Sequence, residues 1–166
     1  MEWPIEKHTT SACSPFTACR NALAAEEASL EKPAAGPSPA LGKSILVVDD
    51  QQSIRDILFH LLTGMGFRVV TAGDGAEGWK RFQSTPCDLV LTDLHMPGMD
   101  GWGLARRIKA GSPGTPVVLL TGEGRGRVLE KLDRSDVDTA LFKPFTLIDL
   151  EETVLRILKE ASNRQV

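Results

Sequence analysis

From residue 44 onward, short apolar runs alternate with longer segments in which apolar positions recur every third or fourth residue. A strand covered on both faces reads as an unbroken apolar run, and a helix lying on a sheet is apolar along one stripe only. This texture therefore predicts βα units around a parallel sheet. Five such units are legible. The first joins a strand over 45–48 to a helix over about 51–63, whose Ile54, Ile57, Leu58, Leu61 and Leu62 share one face before Gly64 and Gly66 stop it. The second is a strand over 67–72 and a helix over about 74–83 that carries Ala76, Trp79 and Phe82 and ends before Pro86. The third comprises a strand over 88–92, the loop HMPGMDG and a helix over about 100–110. In the fourth, an apolar strand over 117–120 leads into GEGRGR, where each glycine weakens a helix by about 1 kcal/mol relative to alanine. Helix is expected there only from Gly126 or Arg127. The last unit joins a strand over 140–142 to an amphipathic helix over about 146–161, with Leu147, Leu150, Val154, Leu155 and Leu158 inward. Thr146 is its expected N-cap, with Asp149 at the third position behind it.

Crossovers between parallel strands are nearly always right-handed, so consecutive βα units form a Rossmann-like or a flavodoxin-like open sheet. Both bind ligands at the carboxyl ends of the strands. In the order 2-1-3-4-5 the switch point falls between the first and third strands, and those two end in acids. Asp49 and Asp50 follow the first, and Asp93 follows the third. Thr121 ends the fourth and Lys143 the fifth, so one rim collects three carboxylates, a hydroxyl and an ammonium. Clustered carboxylates repel at neutral pH unless solvent, shifted pKa values or a cation relieves them. Magnesium suits such a rim, because it takes one or two protein carboxylates with carbonyl, water and phosphate oxygens. An ionised Asp93 facing the ion is a nucleophile for in-line phosphoryl transfer, with Thr121 and Lys143 free to meet the remaining phosphoryl oxygens.

Taken singly, these residues have plainer roles. An aspartate after a strand often caps the next helix, which suits Asp50 before QQSIRDIL and Asp100 before GWGLARRI. Thr121 alone reads as a loop hydroxyl and Lys143 as a solvated charge; their convergence argues for chemistry. His95 has no second histidine near it and hard cations prefer oxygen, so its main-chain carbonyl is a better candidate ligand than its ring. The glycines of GEGRG lack the spacing and downstream acid of a dinucleotide fingerprint.

The 166 residues, 42% hydrophobic and 25% charged, suffice for one core and a tail. A net charge of −3 gives no field that attracts nucleic acid nonspecifically, so no nucleic acid partner is expected. No apolar run approaches the roughly 18 residues of a spanning helix, and no secretory leader is legible. A cytoplasmic location without membrane insertion is the expectation. Cys13, Cys19 and Cys87 are too few and scattered for a disulfide framework or a CxxC zinc pairing. Residues 1–42, rich in Ala, Pro and Ser, read as a mostly disordered extension in which 21–32 has the composition of a short, marginal helix. The folded domain is expected over 43–162, with 163–166 as a short tail.

The segments ILVVDDQQSIRDIL, LVLTDLHMPGMDGWGL, VVLLTG and LFKPF, in that order, resemble the receiver domains of bacterial response regulators over about 43–162. The resemblance implies a flavodoxin-like (βα)5 fold, sheet order 2-1-3-4-5, with helices on both faces. It implies that Asp93 takes a phosphoryl group from a histidine kinase or a histidine phosphotransfer protein, as a phosphoacceptor that promotes its own phosphorylation and dephosphorylation. Asp50, Asp93 and the His95 main-chain carbonyl would hold Mg2+ directly, and Asp49 mainly through water. Thr121 and Lys143 would contact the phosphoryl group, His95 and Glu123 would tune its lifetime, and the bond before Pro144 would be cis. The family often carries an aromatic switch residue three positions before its lysine; here Ala140 stands there, and Phe142 is expected to be buried in the fifth strand. The chain ends SNRQV soon after the last helix, so the expected output is contact with an unknown downstream protein. Two alternatives are a receiver-like module that binds without phosphate and an aspartate-nucleophile phosphatase. The DxD that marks such phosphatases at the first strand is replaced by Asp49–Asp50.

Overall fold

The computed structural model describes residues 42–132 and 136–164. Of the expected N-terminal extension only Gly42 falls among them; the helix expected over 21–32 lies outside. The chain alternates β1 (Ser44–Val48), α1 (Gln52–Gly64), β2 (Arg68–Ala72), α2 (Gly75–Ser84), β3 (Leu89–Asp93), α3 (Gly101–Gly111), β4 (Val117–Thr121), α4 (Arg125–Leu132), β5 (Thr139–Phe142) and α5 (Leu147–Arg164). The strands pair in parallel in the order β2-β1-β3-β4-β5, which is the flavodoxin-like arrangement.

Strand alternation divides the core into two clusters, one on each face of the sheet. Ile45 and Val47 pack with Leu58 and Leu62 of α1 and with Leu150, Val154 and Ile157 of α5. Leu46 and Val48 join Phe82 of α2, Leu104 and Ile108 of α3, and Val128 of α4. The central strands β1, β3 and β4 are buried along their whole length, which is why they read as unbroken apolar runs.

Helix starts follow local chemistry. Asp74 and Asp100 are N-caps whose carboxylates accept from the amides of Glu77 and Gly103, so α2 begins one residue later than its pattern suggested. The capping role open to Asp50 is not taken: the N-cap of α1 is Gln51, without a side-chain cap bond. At α5, Thr146 and Asp149 form reciprocal bonds, the Asp149 amide to Thr146 Oγ1 and the Thr146 amide to Asp149 Oδ2. Helix α4 begins at Arg125, earlier than the glycines of GEGRGR implied. Burial of Val128 and the Arg125 guanidinium, 5.0 Å from the Phe142 ring centroid, offset the glycine cost.

Gly101 lets α3 start against the end of β3. A Cβ there would stand 2.5 Å from the Asp93 carbonyl oxygen and 2.6 Å from Leu119 Cδ2. Gly101→Ala is expected to cost about 2 kcal/mol through overpacking against backbone that cannot yield. A urea midpoint equal to that of the parent would contradict this.

Candidate functional site

Register builds the site. Val48 is level with Thr92, so the next residues, Asp49 and Asp93, leave adjacent strands side by side at the carboxyl edge of the sheet. Asp93 is level with Leu120, which places Thr121 one residue further along β4. Thr121 is in turn level with Phe142, so Lys143 follows at the same rim. The Lys143 amide donates to the Thr121 carbonyl at 2.7 Å, and the Lys143–Pro144 bond is cis.

Lys143 joins the two acids. Its Nζ donates to Asp93 Oδ1 at 2.6 Å and to Asp49 Oδ2 at 3.1 Å. The second oxygen of each carboxylate accepts a main-chain amide: Asp93 Oδ2 from His95 at 2.7 Å, and Asp49 Oδ1 from Gln51 at 2.9 Å. Burial alone would lower the Lys143 pKa, but the bonds to Asp93 and Asp49 hold it above its ordinary value. Asp49 is fully buried. Burial pushes its carboxyl above the usual range and the Asp93 charge adds to this, against the opposing pull of the Gln51 amide and Lys143.

A carboxyl whose folded pKa lies above its unfolded value favours folding most when protonated, so this contribution is lost as pH rises from the unfolded pKa through the folded one. Asp49→Asn is accordingly expected to raise stability at neutral pH by about 1 kcal/mol, the scale of a relieved functional-site cost. A thermal midpoint that falls at pH 7 would count against the repulsive character of this cluster.

Other predicted residues surround this centre. Thr121 is buried, and its Oγ1 accepts the Glu123 amide at 3.0 Å. Glu123 Oε1 lies 2.7 Å from His95 Nε2, tying the loop after β3 to the loop after β4. The Asp50 carboxylate is exposed and has no hydrogen bond or ion pair among the described residues. Phe142 is half-buried, not buried as expected: it lies on the edge strand β5, with Arg125 over its ring, while Ala140 packs against the cluster under α2, α3 and α4. Sequence reasoning passed over Arg55, whose Nη1 donates to the main-chain oxygens of Asp49 and Asp50. No local pattern marks it, since an arginine on the polar side of a helix reads as surface charge.

The family model of the response regulator receiver domain matches residues 45–155, most of the chain. The chain belongs to the response regulator receiver domain family. A probable chemotaxis protein CheY of Rhizobium etli is 33% identical to this receiver over 114 residues, covering 66% of this chain and 88% of that one. A probable transcriptional regulator, ycf27 of Cyanophora paradoxa, is 37% identical over 123 residues, covering 73% of this chain. The match spans 50% of the length of that relative. The solved structure of the Vibrio cholerae chemotaxis protein CheY4 superposes with a TM-score of 0.66 at 31% identity, covering 69% of this chain and 98% of that one. The receiver domain is that of two-component signalling.

The donor set of this receiver suits a hard divalent cation. No three His, Cys, Asp or Glu side chains form a ready ligand group among the described residues. Magnesium does not need one, because it usually takes one or two carboxylates and fills its remaining positions with carbonyl, water and phosphate oxygens. The Asp50 carboxylate, without a partner among the described residues, and the buried Asp49 carboxyl are oxygen donors of the right hardness. No helix among the described residues is long and apolar enough to cross a membrane.

Proposed function

We propose that this receiver accepts a phosphoryl group on Asp93 from the phosphohistidine of a histidine kinase or a histidine phosphotransfer protein. The observation that carries this reading is the Lys143 ammonium bonded at once to Asp93 and Asp49. In the transfer, an Asp93 carboxylate oxygen bonds to phosphorus as the donor's nitrogen–phosphorus bond breaks, and the electron pair leaves on the imidazole. Lys143 stands where it can pair with the added charge, and the Thr121 hydroxyl, whose oxygen accepts the Glu123 amide, keeps its proton to donate to a phosphoryl oxygen. Asp50, Asp93 and the His95 carbonyl would hold Mg2+, with Asp49 behind them. The ion, when bound, neutralises charge between carboxylates and phosphoryl oxygens.

His95 and Glu123, in contact with each other at the ends of β3 and β4, would govern how readily water reaches the acyl phosphate. Exposed Leu129 of α4 and Leu147 and Ile148 of α5 support output by contact with a protein. The test is intact mass after incubation with acetyl phosphate, with and without Mg2+. A single phosphoryl adduct that needs Mg2+ supports the reading; no adduct under any condition replaces it with a receiver-like module that binds without phosphate.

A further inference from the structure

Arg55 takes no part in the transfer proposed above, yet it is hydrogen-bonded to the backbone from which the acidic pair projects. Lying half-buried near the start of α1, it reaches back so that one nitrogen, Nη1, meets the Asp49 carbonyl oxygen at 2.6 Å and that of Asp50 at 3.1 Å. These oxygens belong to consecutive residues. Pinning them restrains the backbone torsions on either side of each peptide, and those torsions set the direction in which the side chains leave the chain. The α1 N-cap contributes no side-chain bond, and the first turn of α1 has no acidic residue. Besides Arg55, the segment is held by the Asp49 amide to the Ala72 carbonyl at 3.3 Å, the Gln51 amide and Lys143 Nζ to the Asp49 carboxylate, and the Ile54 and Arg55 amides to the Gln51 carbonyl; Arg55 is the group that grips the Asp49 and Asp50 carbonyls together.

We propose that Arg55 is a positioning residue: by holding the Asp49 and Asp50 carbonyls, it presets the two carboxylates for a divalent cation. This rests on the cation site proposed above. The guanidinium exerts two opposed effects. Its positive charge repels an incoming cation, whereas its grip on the turn removes the cost of ordering the ligands when the cation binds. The sign of a substitution therefore separates them. If charge dominates, removing Arg55 tightens cation binding; if positioning dominates, removal weakens it.

The experiment titrates Mg2+ alone into the full chain by calorimetry for the parent, Arg55→Met and Arg55→Lys. Arg55→Met is expected to raise the Mg2+ Kd about tenfold, or about 1.4 kcal/mol, and Arg55→Lys to recover part of that loss. A folded Arg55→Met chain with equal or tighter Mg2+ binding overturns the proposal. Should the methionine variant fail to fold, the lysine variant carries the same comparison, since it keeps the charge but loses the planar donor. A second readout needs no metal. Hydrogen exchange at the Gln51 and Gln52 amides is expected to quicken in the variant in the presence of a chelator, and unchanged exchange also overturns the proposal. A parent chain that binds no Mg2+ but shows this exchange difference would sink the cation-site reading while leaving the grip on the turn intact.

Discussion

Asp93→Asn is expected to abolish the acetyl phosphate adduct entirely while leaving the far-ultraviolet circular dichroism unchanged. The amide is nearly isosteric with the carboxylate and keeps one oxygen for the His95 amide or Lys143, so the loop after β3 loses little of its anchoring. What disappears is the anionic nucleophile. Asp49 is a poor substitute: it is fully buried, with one oxygen on the Gln51 amide and the other on Lys143. Asp50 is exposed but follows β1, where its carboxylate faces no cationic partner among the described residues. The measurement is intact mass in the presence of Mg2+ beside the parent chain. An adduct of equal yield on the variant would move the acceptor elsewhere and defeat the assignment of Asp93.

The second large effect lies away from the rim. Asp138, just before β5, has a buried carboxylate that accepts from the Val117 amide at 2.9 Å and pairs with Lys109 at 2.7 Å and Arg164 at 3.1 Å. One side chain thus joins α3, β4 and the end of α5. Asp138→Ala is expected to cost about 3 kcal/mol or more, because it leaves the largely buried Lys109 ammonium and the Val117 amide without their acceptor. Burial alone would raise the Asp138 carboxyl, but Lys109, the Val117 amide and Arg164 together hold it below the ordinary range. A carboxyl depressed in the folded state contributes stability that is present above its unfolded pKa and lost as pH falls through the folded one. The gap between variant and parent should therefore be full at neutral pH and narrow below about pH 4. Denaturant midpoints at pH 7 and pH 3 measure both. A gap of equal size at the two pH values would show that packing, not charge, is what the alanine removes.

Much of the fold follows from local pattern alone. The apolar runs of β1, β3 and β4 and the striped helices α1 and α5 announce a parallel sheet, because burial on two faces and on one face leave different periods. Once the strands are located, Asp49, Asp93, Thr121 and Lys143 stand at strand ends that topology must bring to one rim. Capping by Asp100 and Thr146 was legible to within a residue, since a cap acts over three positions, whereas the cap at Asp74 was read only as the start of its helix. The start of α4 was not. Propensity counts the glycines of GEGRGR but not the burial of Val128 or the contact of Arg125 with Phe142 across to β5. The same limit hid the links that join distant positions: Arg55 to the carbonyls of Asp49 and Asp50, His95 to Glu123, and Asp138 to Lys109 and Arg164. The sequence by itself determined which residues are apolar, where strands end and which charges stand at those ends, because these depend on neighbours along the chain. Only the tertiary structure decided which charges meet, because hydrogen bonds of about 3 Å depend on side-chain reach across packed elements, which no period records.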